Sequence, residues 1–399
     1  MIPIETNRVR GTVAPGFEPV ADAFARAFEN PGERGAACAI YRDGAPVVDL
    51  VGGWKDRARS DPWTPDTIAL VFSLAKGMTA LACAMAVTKG LFRYDDEVES
   101  VWPEFAAHGK GGWKIGALLS EQLGVAAIDM KLSHRNMGDQ DALAAAIAAT
   151  KPNWQPGRYN ANHPHTLGWF ASELIRRTDP EGRTLGRFFA EEIAEPLGAD
   201  VFIGLPAAFD RKRMARIEGF GLVDLILRKK DMSWGLVLAM LMPWTLPYRA
   251  LNNPLLLKGP SAMDCEEYWR LELGGAGGLG SALGFAKIYD EFARGAPTLG
   301  VDADVLTALA DGWETPVAGT RDYILDTEMR YSLGLEKPTD RWPFAPTPAA
   351  YGTFAVGGSF AYADPVARTG YAWITNRLDL YVKDDPRQTA VRDAFQKCL

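Results

Sequence analysis

The pair Ser73 and Lys76 is the feature of this sequence with the clearest chemical meaning. The two residues follow an apolar run over residues 68–72 and open a helical pattern. They are three positions apart, so their side chains share one helix face and can touch. Unpaired backbone N–H groups at a helix start favour negative charge on the serine oxygen, and a partly desolvated lysine beside it can act as a base. The pattern therefore indicates a serine nucleophile for acyl transfer, although an ordinary N-cap serine has the same spacing.

The residues around this pair resemble the nucleophile segment of the serine β-lactamase and penicillin-binding-protein superfamily. The stretch from Leu70 to Ala80 most resembles esterases with a class C β-lactamase fold, the family VIII carboxylesterases. Similar segments continue over nearly the whole chain, at residues 35–50, 101–120, 154–198 and 357–365. The resemblance implies the fold of that family, with Ser73 as the nucleophile and Lys76 as its proton partner.

The second motif of that family is altered here. Members carry a tyrosine midway between a Pro-Gly pair and a later glycine, and this sequence has Asn162 at that position. An amide does not titrate in the useful range, so it cannot act as a general base. Tyr159 could replace the missing phenol through a rearranged loop, and His163 could supply an imidazole that titrates near neutral pH. We favour Tyr159 over His163 as the group that replaces the missing phenol. The alternatives are that Tyr159 only packs against its neighbours and that His163 lies in a surface loop. His165 is interpreted as structural.

The third motif, a Lys-Thr-Gly triplet or a His-x-Gly or Trp-Gly-Gly variant, is altered as well. The matching segment reads Gly352-Thr353-Phe354-Ala355 and contains neither a cation nor a histidine. We predict that the backbone N–H of Ala355 forms one half of an oxyanion hole and that of Ser73 the other, because this role requires only geometry. Thr353 and Phe354 are expected in the substrate pocket, where the phenyl ring would make the pocket more apolar or block it.

Further residues are assigned to the pocket or its surroundings. Asn162 and His163 are expected to face the substrate. A stretch rich in Met and Trp around Trp244 is expected to line the acyl side, with a plain core helix as the alternative. Glu121 stands where the family often has a histidine after Leu-Leu-Ser. It is interpreted as a solvated surface residue, and a polar contact near the site is the alternative.

These residues predict a serine hydrolase that acts on small to medium carboxylic esters through an acyl-enzyme on Ser73. Transfer of the acyl group to an alcohol by the same serine is a variant that the sequence does not separate. The two altered motifs leave open a different class of protein, a catalytically weakened homologue that binds a ligand or partner. An unusual amide or lactone substrate that needs no tyrosine is a third possibility.

The elements that must position these residues follow from hydrophobic periodicity and turn residues. Helices are predicted at residues 17–28, 73–90, 166–177, 185–193 and 386–397. Strands are predicted at residues 37–41, 47–51, 331–335, 354–356 and 370–375. A Gly-rich stretch at 274–280 is interpreted as a backbone turn near the site, since it lacks the Lys-Ser/Thr ending of a phosphate-binding loop.

This pattern predicts an α/β (α+β) fold of the class C β-lactamase type. Hairpins at both ends of the chain indicate an antiparallel sheet built from both termini and flanked by helices, with an inserted, mostly helical subdomain. The predicted units are a sheet domain of residues 1–90 and 266–399, a helical subdomain of residues 91–200, and an irregular apolar segment of residues 201–265 that covers the site.

Composition limits the partners. Of the 399 residues, 47% are hydrophobic, which is ample for a large core, and the net charge of −7 with scattered basic residues argues against nucleic acid. The four cysteines lie far apart, and we predict no metal and no cofactor. The first residues lack the regions of a signal peptide, so we expect a cytoplasmic protein with a small-molecule ester substrate; the oligomeric state stays open.

A membrane role is weighed at one place in the sequence. No apolar run approaches the roughly 20 residues of a membrane span, so stable membrane insertion is not expected. Residues 236–242 come nearest. They are interpreted as a buried or pocket-lining helix, with an interfacial membrane contact as the alternative.

Overall fold

The computed structural model describes residues 1–29, 33–133, 136–253 and 259–399. The strands are β1 (Ile2–Glu5), β2 (Val9–Val13), β3 (Gly35–Arg42), β4 (Ala45–Gly53), β5 (Ala69–Phe72), β6 (Val201–Ile203), β7 (Gly278–Gly280), β8 (Arg330–Ser332), β9 (Leu335–Lys337), β10 (Tyr351–Phe354), β11 (Phe360–Asp364) and β12 (Thr369–Thr375).

The helices are α1 (Glu18–Arg26), α2 (Leu74–Thr88), α3 (Val98–Val101), α4 (Ile115–Leu119), α5 (Gln140–Ala149), α6 (Thr166–Thr178), α7 (Leu185–Phe189), α8 (Glu195–Leu197), α9 (Leu222–Leu227), α10 (Trp234–Leu241), α11 (Leu246–Leu251), α12 (Glu266–Trp269), α13 (Ala282–Ala293), α14 (Ala303–Asp311) and α15 (Pro386–Gln396). A π-helical turn over Ala190–Ala194 joins α7 to α8, and 3-10 turns lie at Pro103–Gly109, Arg211–Arg213 and Pro260–Met263.

The main sheet is assembled from both ends of the chain. Within the described ranges, nine strands pair in the order β1-β2-β4-β3-β12-β11-β10-β9-β8, and neighbouring strands are antiparallel. The β3–β4 hairpin turns at Asp43 and Gly44, which both have positive φ, as a tight two-residue hairpin turn requires. β3 pairs with β12 over seven positions, from Ala36–Thr375 to Arg42–Thr369. This pairing joins the N-terminal and C-terminal parts and confirms the predicted fold class.

Helices cover both faces of the sheet. α1 and α15 pack on one face, where the rings of Phe24 and Trp373 lie 5.4 Å apart. α13 crosses the other face against β3, β11 and β12, and α2 lies beyond β10 on the same side. Of the 15 residues of α2, all from Leu74 to Ala86 are buried, as expected for a helix that is apolar all round. The helix that follows Ser73 is therefore held rigidly in the core.

A second, small sheet supports the start of α2. Among the described residues its order is β5-β7-β6, so β7 lies in the middle. The Gly-rich stretch at 274–280 was predicted as a turn, but its last three residues form β7. The predicted strand at 354–356 also differs, because β10 ends at Phe354 and the chain turns over residues 355–358.

The segment of residues 201–265 is more regular than predicted. It contains β6 and the short helices α9, α10 and α11, while residues 254–258 of it lie outside the described residues. The predicted unit boundaries stay a prediction. No helix in the described ranges is long and apolar enough to cross a membrane.

Candidate active site

Ser73 lies at a tight junction between β5 and α2. The preceding residue, Phe72, has φ of +46°, a left-handed conformation that is costly for a bulky side chain. β7 approaches the first turn of α2 so closely that a Cβ on Gly278 would lie 2.8 Å from the Ala75 backbone nitrogen. Because only glycine tolerates this approach, the Gly-rich stretch has a direct role in fixing the position of Ser73.

Ser73 lines an apolar cavity that is partly open to solvent. The space between its walls, together with the open solvent at its mouth, is about 1140 Å³. Its apolar wall comes mostly from the segment of residues 220–263, from the end of β10 and from loops of the C-terminal part: Phe220, Leu225, Met232, Leu236, Met240, Leu251, Met263, Leu325, Phe354, Val356, Leu380, Tyr381 and Val382. No lysine or arginine is found among the lining residues that the structure describes. Phe354 therefore forms part of an apolar wall and does not close the site.

Lys76 lies one helical turn after Ser73 and is almost fully buried. Its Nζ donates a hydrogen bond of 2.8 Å to Glu121 Oε1 and another of 2.8 Å to Asn162 Oδ1. The Asn162 side chain must present its oxygen here, because a lysine ammonium only donates. Lys76 thus forms a buried ion pair with Glu121, and its second hydrogen-bond partner, Asn162, also lines the cavity.

Glu121 is only 1% exposed, so its interpretation as a surface residue was wrong. Its Oε2 accepts a 2.8 Å hydrogen bond from the backbone N–H of His163. Burial acts to raise the pKa of Glu121, but the charge of Lys76 and the hydrogen bonds from Lys76 and His163 outweigh it, so the pKa is lowered. The carboxylate form is therefore favoured, in contact with the lysine.

Asp322 fixes Asn162 from behind. Its Oδ2 accepts hydrogen bonds from the Asn162 backbone N–H at 2.8 Å and from the Tyr331 hydroxyl at 2.6 Å. The backbone of Asn162 is held by Asp322 and its side chain by Lys76. This double anchoring makes the amide a fixed element of the site.

His165 also lines the cavity, although it was interpreted as structural. Its ring stacks on Trp169 at 5.8 Å between centroids, and both ring nitrogens are buried without a partner among the described residues. Burial, helped by the charge of Lys76, lowers the pKa of His165 to about 4. The imidazole is therefore neutral around neutral pH.

His165 is expected to make the protein less stable in mild acid. An unfolded chain binds a proton at this residue near its ordinary pKa of about 6.5, whereas the folded chain does so only near 4, so stability falls as the pH drops through this window. From about pH 7 to about pH 5 the contribution is about 2 kcal/mol. Urea unfolding at both pH values should show a smaller difference for His165→Phe than for the parent. His108→Asn, at an exposed position, is the control, and equal slopes for all three proteins would contradict the assignment.

The backbone N–H of Ala355 is not free to act as the predicted oxyanion donor. It donates to the Ser359 carbonyl at 2.9 Å, because the chain turns immediately after β10. The next amide, that of Val356, has no acceptor among the described residues, and Val356 lines the cavity. The Ser73 N–H likewise has no described acceptor. Ser73, at the start of α2, and Val356, just after β10, therefore each present a free amide at the described cavity.

The structure does not bring Tyr159 to Ser73. Its ring stacks on Tyr323 with centroids 4.7 Å apart, and it is absent from the cavity wall that the structure describes. Tyr159 is kept away from Ser73 because the next residue, Asn160, is bonded elsewhere. The Asn160 carbonyl accepts a hydrogen bond from the Tyr323 N–H at 3.0 Å, and the Asn160 side chain donates one to the Met329 carbonyl at 2.9 Å. These bonds hold the loop along residues 320–329.

Three further residues predicted for the pocket lie elsewhere. His163 is buried behind the cavity, with Nδ1 2.6 Å from the Ala161 carbonyl oxygen. Thr353 is fully buried, and its hydroxyl lies 3.4 Å from that of Tyr289. Trp244 is 76% exposed and points away from the core. Only Asn162 and Phe354 of the predicted pocket residues belong to the described wall.

Glu121, His165 and Val356 are the site residues that sequence reasoning missed. A weak signal for Glu121 was its place directly after the apolar run of α4, whose residues are buried. For His165 the signal was its place at the start of α6, close to the altered motif. Val356 had no side-chain signal, because its role depends on where β10 ends.

Known proteins resemble this chain over nearly its whole length. The Beta-lactamase family model matches residues 20–396. The chain is 30% identical to the esterase/beta-lactamase LipL of Mycobacterium tuberculosis (strain ATCC 25618 / H37Rv) over 380 residues, which is 93% of this chain and 84% of LipL.

Solved structures give the same picture. A family VIII carboxylesterase superposes with a TM-score of 0.86 and 32% identity, covering 99% of this chain and 100% of that one. A novel penicillin-binding protein homolog from Caulobacter crescentus has a TM-score of 0.84 and 30% identity, with 98% and 100% coverage. The chain belongs to the beta-lactamase family. The predicted superfamily is confirmed, and so is the predicted enzyme class, a hydrolase, at the level of the family.

Proposed function

We propose that this protein hydrolyses carboxylic esters with an apolar acyl group, through an acyl-enzyme on Ser73. The observation that carries the proposal is the position of Ser73, which starts a buried helix, lines an apolar cavity and precedes Lys76 of the buried Lys76–Glu121 pair by one turn. The names of the relatives, an esterase/beta-lactamase and a carboxylesterase, support ester substrates.

The proton steps can run through the buried pair. Lys76 Nζ first passes one of its protons to Glu121 Oε1, 2.8 Å away, which leaves a neutral amine with a lone pair. As the Ser73 oxygen then forms its bond to the substrate carbonyl carbon, this amine takes the hydroxyl proton. After both steps the charge on Lys76 is unchanged, and the negative charge has moved from Glu121 to the substrate oxygen. The reverse transfer protonates the leaving alkoxide. Asn162 keeps Lys76 in place but takes no proton.

The backbone amides of Ser73 and Val356 are the donors proposed for the oxyanion. Two preorganised N–H groups in an apolar cavity stabilise developing charge more strongly than they would in water. This assignment replaces Ala355, whose amide is already bonded to Ser359. Transfer to an alcohol instead of water would use the same groups, and product analysis with added alcohol separates the two reactions.

A second candidate function is ligand binding without turnover. Two observations favour it: the Ser73 hydroxyl has no hydrogen-bond partner among the described residues, and Lys76 is engaged with Glu121 and Asn162. In that case the cavity would hold an apolar ligand without forming an adduct on Ser73. Measurement of turnover and of covalent labelling therefore decides between the two.

The apolar cavity predicts a preference for longer acyl chains and negligible turnover of β-lactams. Each methylene buried in the cavity should raise kcat/KM by up to about fourfold, the equivalent of about 0.8 kcal/mol. A β-lactam carboxylate would find no described lysine or arginine in the wall. We therefore expect p-nitrophenyl octanoate to be a better substrate than the acetate, and nitrocefin to be slower than either by about 10²-fold or more.

Two variants on α10 provide a matched test of this preference. Met240 lines the cavity, whereas Leu238 on the same helix is 55% exposed. Met240→Trp should remove the advantage of the octanoate, and Leu238→Trp should keep it. Nitrocefin turnover comparable to that of short esters, or acetate turnover above that of the octanoate in the parent, would contradict the proposed substrate class.

A further inference from the structure

Residues 221–246, which we call the apolar cover, have two apolar faces. On the inner face Leu225, Met232, Leu236 and Met240 line the cavity of Ser73. On the outer face bulky apolar side chains are left in solvent. Such a segment is unusual, because a helix needs only one apolar stripe to pack its inner face against the protein, and its outer face is then polar.

The outer face concentrates the exposed apolar surface of the molecule. Of the twelve large hydrophobic residues exposed in the described chain, six lie in the apolar cover: Val223, Ile226, Leu227, Trp234, Leu238 and Trp244. Leu227 and Trp244 are each 76% exposed. Single exposed apolar residues need no explanation, but six of them within one short segment indicate an interaction surface.

Basic residues border this surface although the protein as a whole is acidic. Arg228, Lys229 and Lys230 directly follow α9, in a chain of net charge −7. The Nζ of Lys229 lies 4.8 Å from the centre of the Trp234 ring, so charge and apolar surface are adjacent. Of the two acidic residues of this segment, Asp224 pairs with Arg228, and Asp231 accepts hydrogen bonds from the N–H groups of residues 382 and 383.

We propose that the outer face of the apolar cover docks on an anionic lipid surface. Leucine and tryptophan side chains beside lysine and arginine are the combination that binds the interface of a bilayer, where the apolar groups enter the headgroup boundary and the cations meet anionic lipids. A second copy of the chain fits less well, since a two-fold contact through this patch would bring the basic residues of both copies together. The proposal needs no turnover and is independent of the proposed ester hydrolysis.

The test is co-sedimentation with vesicles of phosphatidylcholine alone and of phosphatidylcholine mixed with phosphatidylglycerol. The parent should bind the mixed vesicles about tenfold more tightly than the neutral ones, and added salt should remove most of this difference. The double variant Leu227→Glu, Leu238→Glu should weaken binding by about tenfold or more. The control double variant Val317→Glu, Val366→Glu changes residues that are 91% and 67% exposed elsewhere, and it should bind like the parent.

A second double variant and a light-scattering measurement of the molecular mass separate vesicle binding from misfolding and from dimer formation. Lys229→Glu with Lys230→Glu should weaken binding to the mixed vesicles and leave binding to neutral vesicles unchanged, even if the first double variant fails to fold. The proposal would be overturned if the parent bound neither kind of vesicle. It would also be overturned if the control double variant lost as much vesicle binding as Leu227→Glu, Leu238→Glu. A dimer in light scattering that Leu227→Glu, Leu238→Glu dissociates, without vesicle binding, would assign the surface to a second copy and overturn it as well.

Discussion

Replacing Ser73 by alanine is expected to lower kcat/KM for p-nitrophenyl butyrate by about 10³-fold or more, because the acyl-enzyme cannot form without the nucleophile. The fold should be preserved. The Ser73 hydroxyl has no hydrogen bond in the described structure, and the helix start is held by β5, β7 and Gly278. Steady-state hydrolysis and thermal unfolding of the same preparations check both expectations.

Ser172 provides the matched control for this experiment. It is a buried serine on α6 whose hydroxyl donates to Gln140 Oε1 at 3.1 Å, and it is absent from the described cavity wall. Ser172→Ala should keep most of the activity. If Ser73→Ala were as active as this control, the nucleophile would have to be another residue.

Breaking the Lys76–Glu121 pair is expected to have the largest effect on stability. A single substitution, Lys76→Met or Glu121→Leu, leaves the other charge buried and unpaired, which costs about 3–5 kcal/mol. The double variant removes both charges, so it should lose clearly less than the sum of the two single variants. All three should also lose ester turnover by about 10²-fold or more, since the proton path is interrupted.

Urea unfolding near pH 7 measures these differences, and an exposed pair supplies the comparison. Arg249 lies 2.7 Å from Asp129 at the surface, and Arg249→Ala should cost less than about 1 kcal/mol. Because the pKa of Glu121 is lowered in the folded state, the stability from its charged form is present above its ordinary pKa and is lost as the pH falls through the lowered value. Additive losses in the double variant would show that the two residues do not act as a pair.

The sequence predicts the position of Ser73 between a strand and a helix well, because local patterns determine it. An apolar strand, a serine and an apolar helix follow one another along the chain, and the structure keeps this order in β5, Ser73 and α2. The hairpins at both ends likewise follow from alternating residues and from the Asp43-Gly44 turn. Asn162 could also be assigned to the second motif, because its spacing from Pro156 and Gly168 is that of the tyrosine in the family.

The remainder of the site depends on contacts between distant parts of the chain. Glu121 and Lys76 are 45 positions apart, and only the folded chain brings the residue that follows α4 against the lysine on α2, which makes a glutamate of surface type a buried partner. The free amide is that of Val356 and not that of Ala355, because β10 ends at Phe354, two residues before the end of the strand predicted at 354–356, and the chain then turns. Tyr159 is retained by the backbone of residues 320–329, and no local pattern shows this.

These contacts also explain why the altered motifs can be compatible with catalysis. In this chain Lys76 is held by a carboxylate and an amide, and both are fixed in turn, Glu121 by the His163 N–H and Asn162 by Asp322. A site that had merely lost its tyrosine would not need a buried acid in contact with the lysine. In the proposed relay, Glu121 is therefore the residue that accepts the proton from Lys76.

Covalent labelling is the most direct test of the central claim, that Ser73 is an acylated nucleophile in an apolar cavity. The protein is incubated with a fluorophosphonate that carries an alkyl chain, and intact mass and peptide mapping follow. We predict one adduct per chain, located on the peptide that contains Ser73 and missing in Ser73→Ala. An adduct on a different residue, or ester turnover by a parent protein that takes up no label, would contradict the account; no label together with no turnover would leave ligand binding as the function of this cavity.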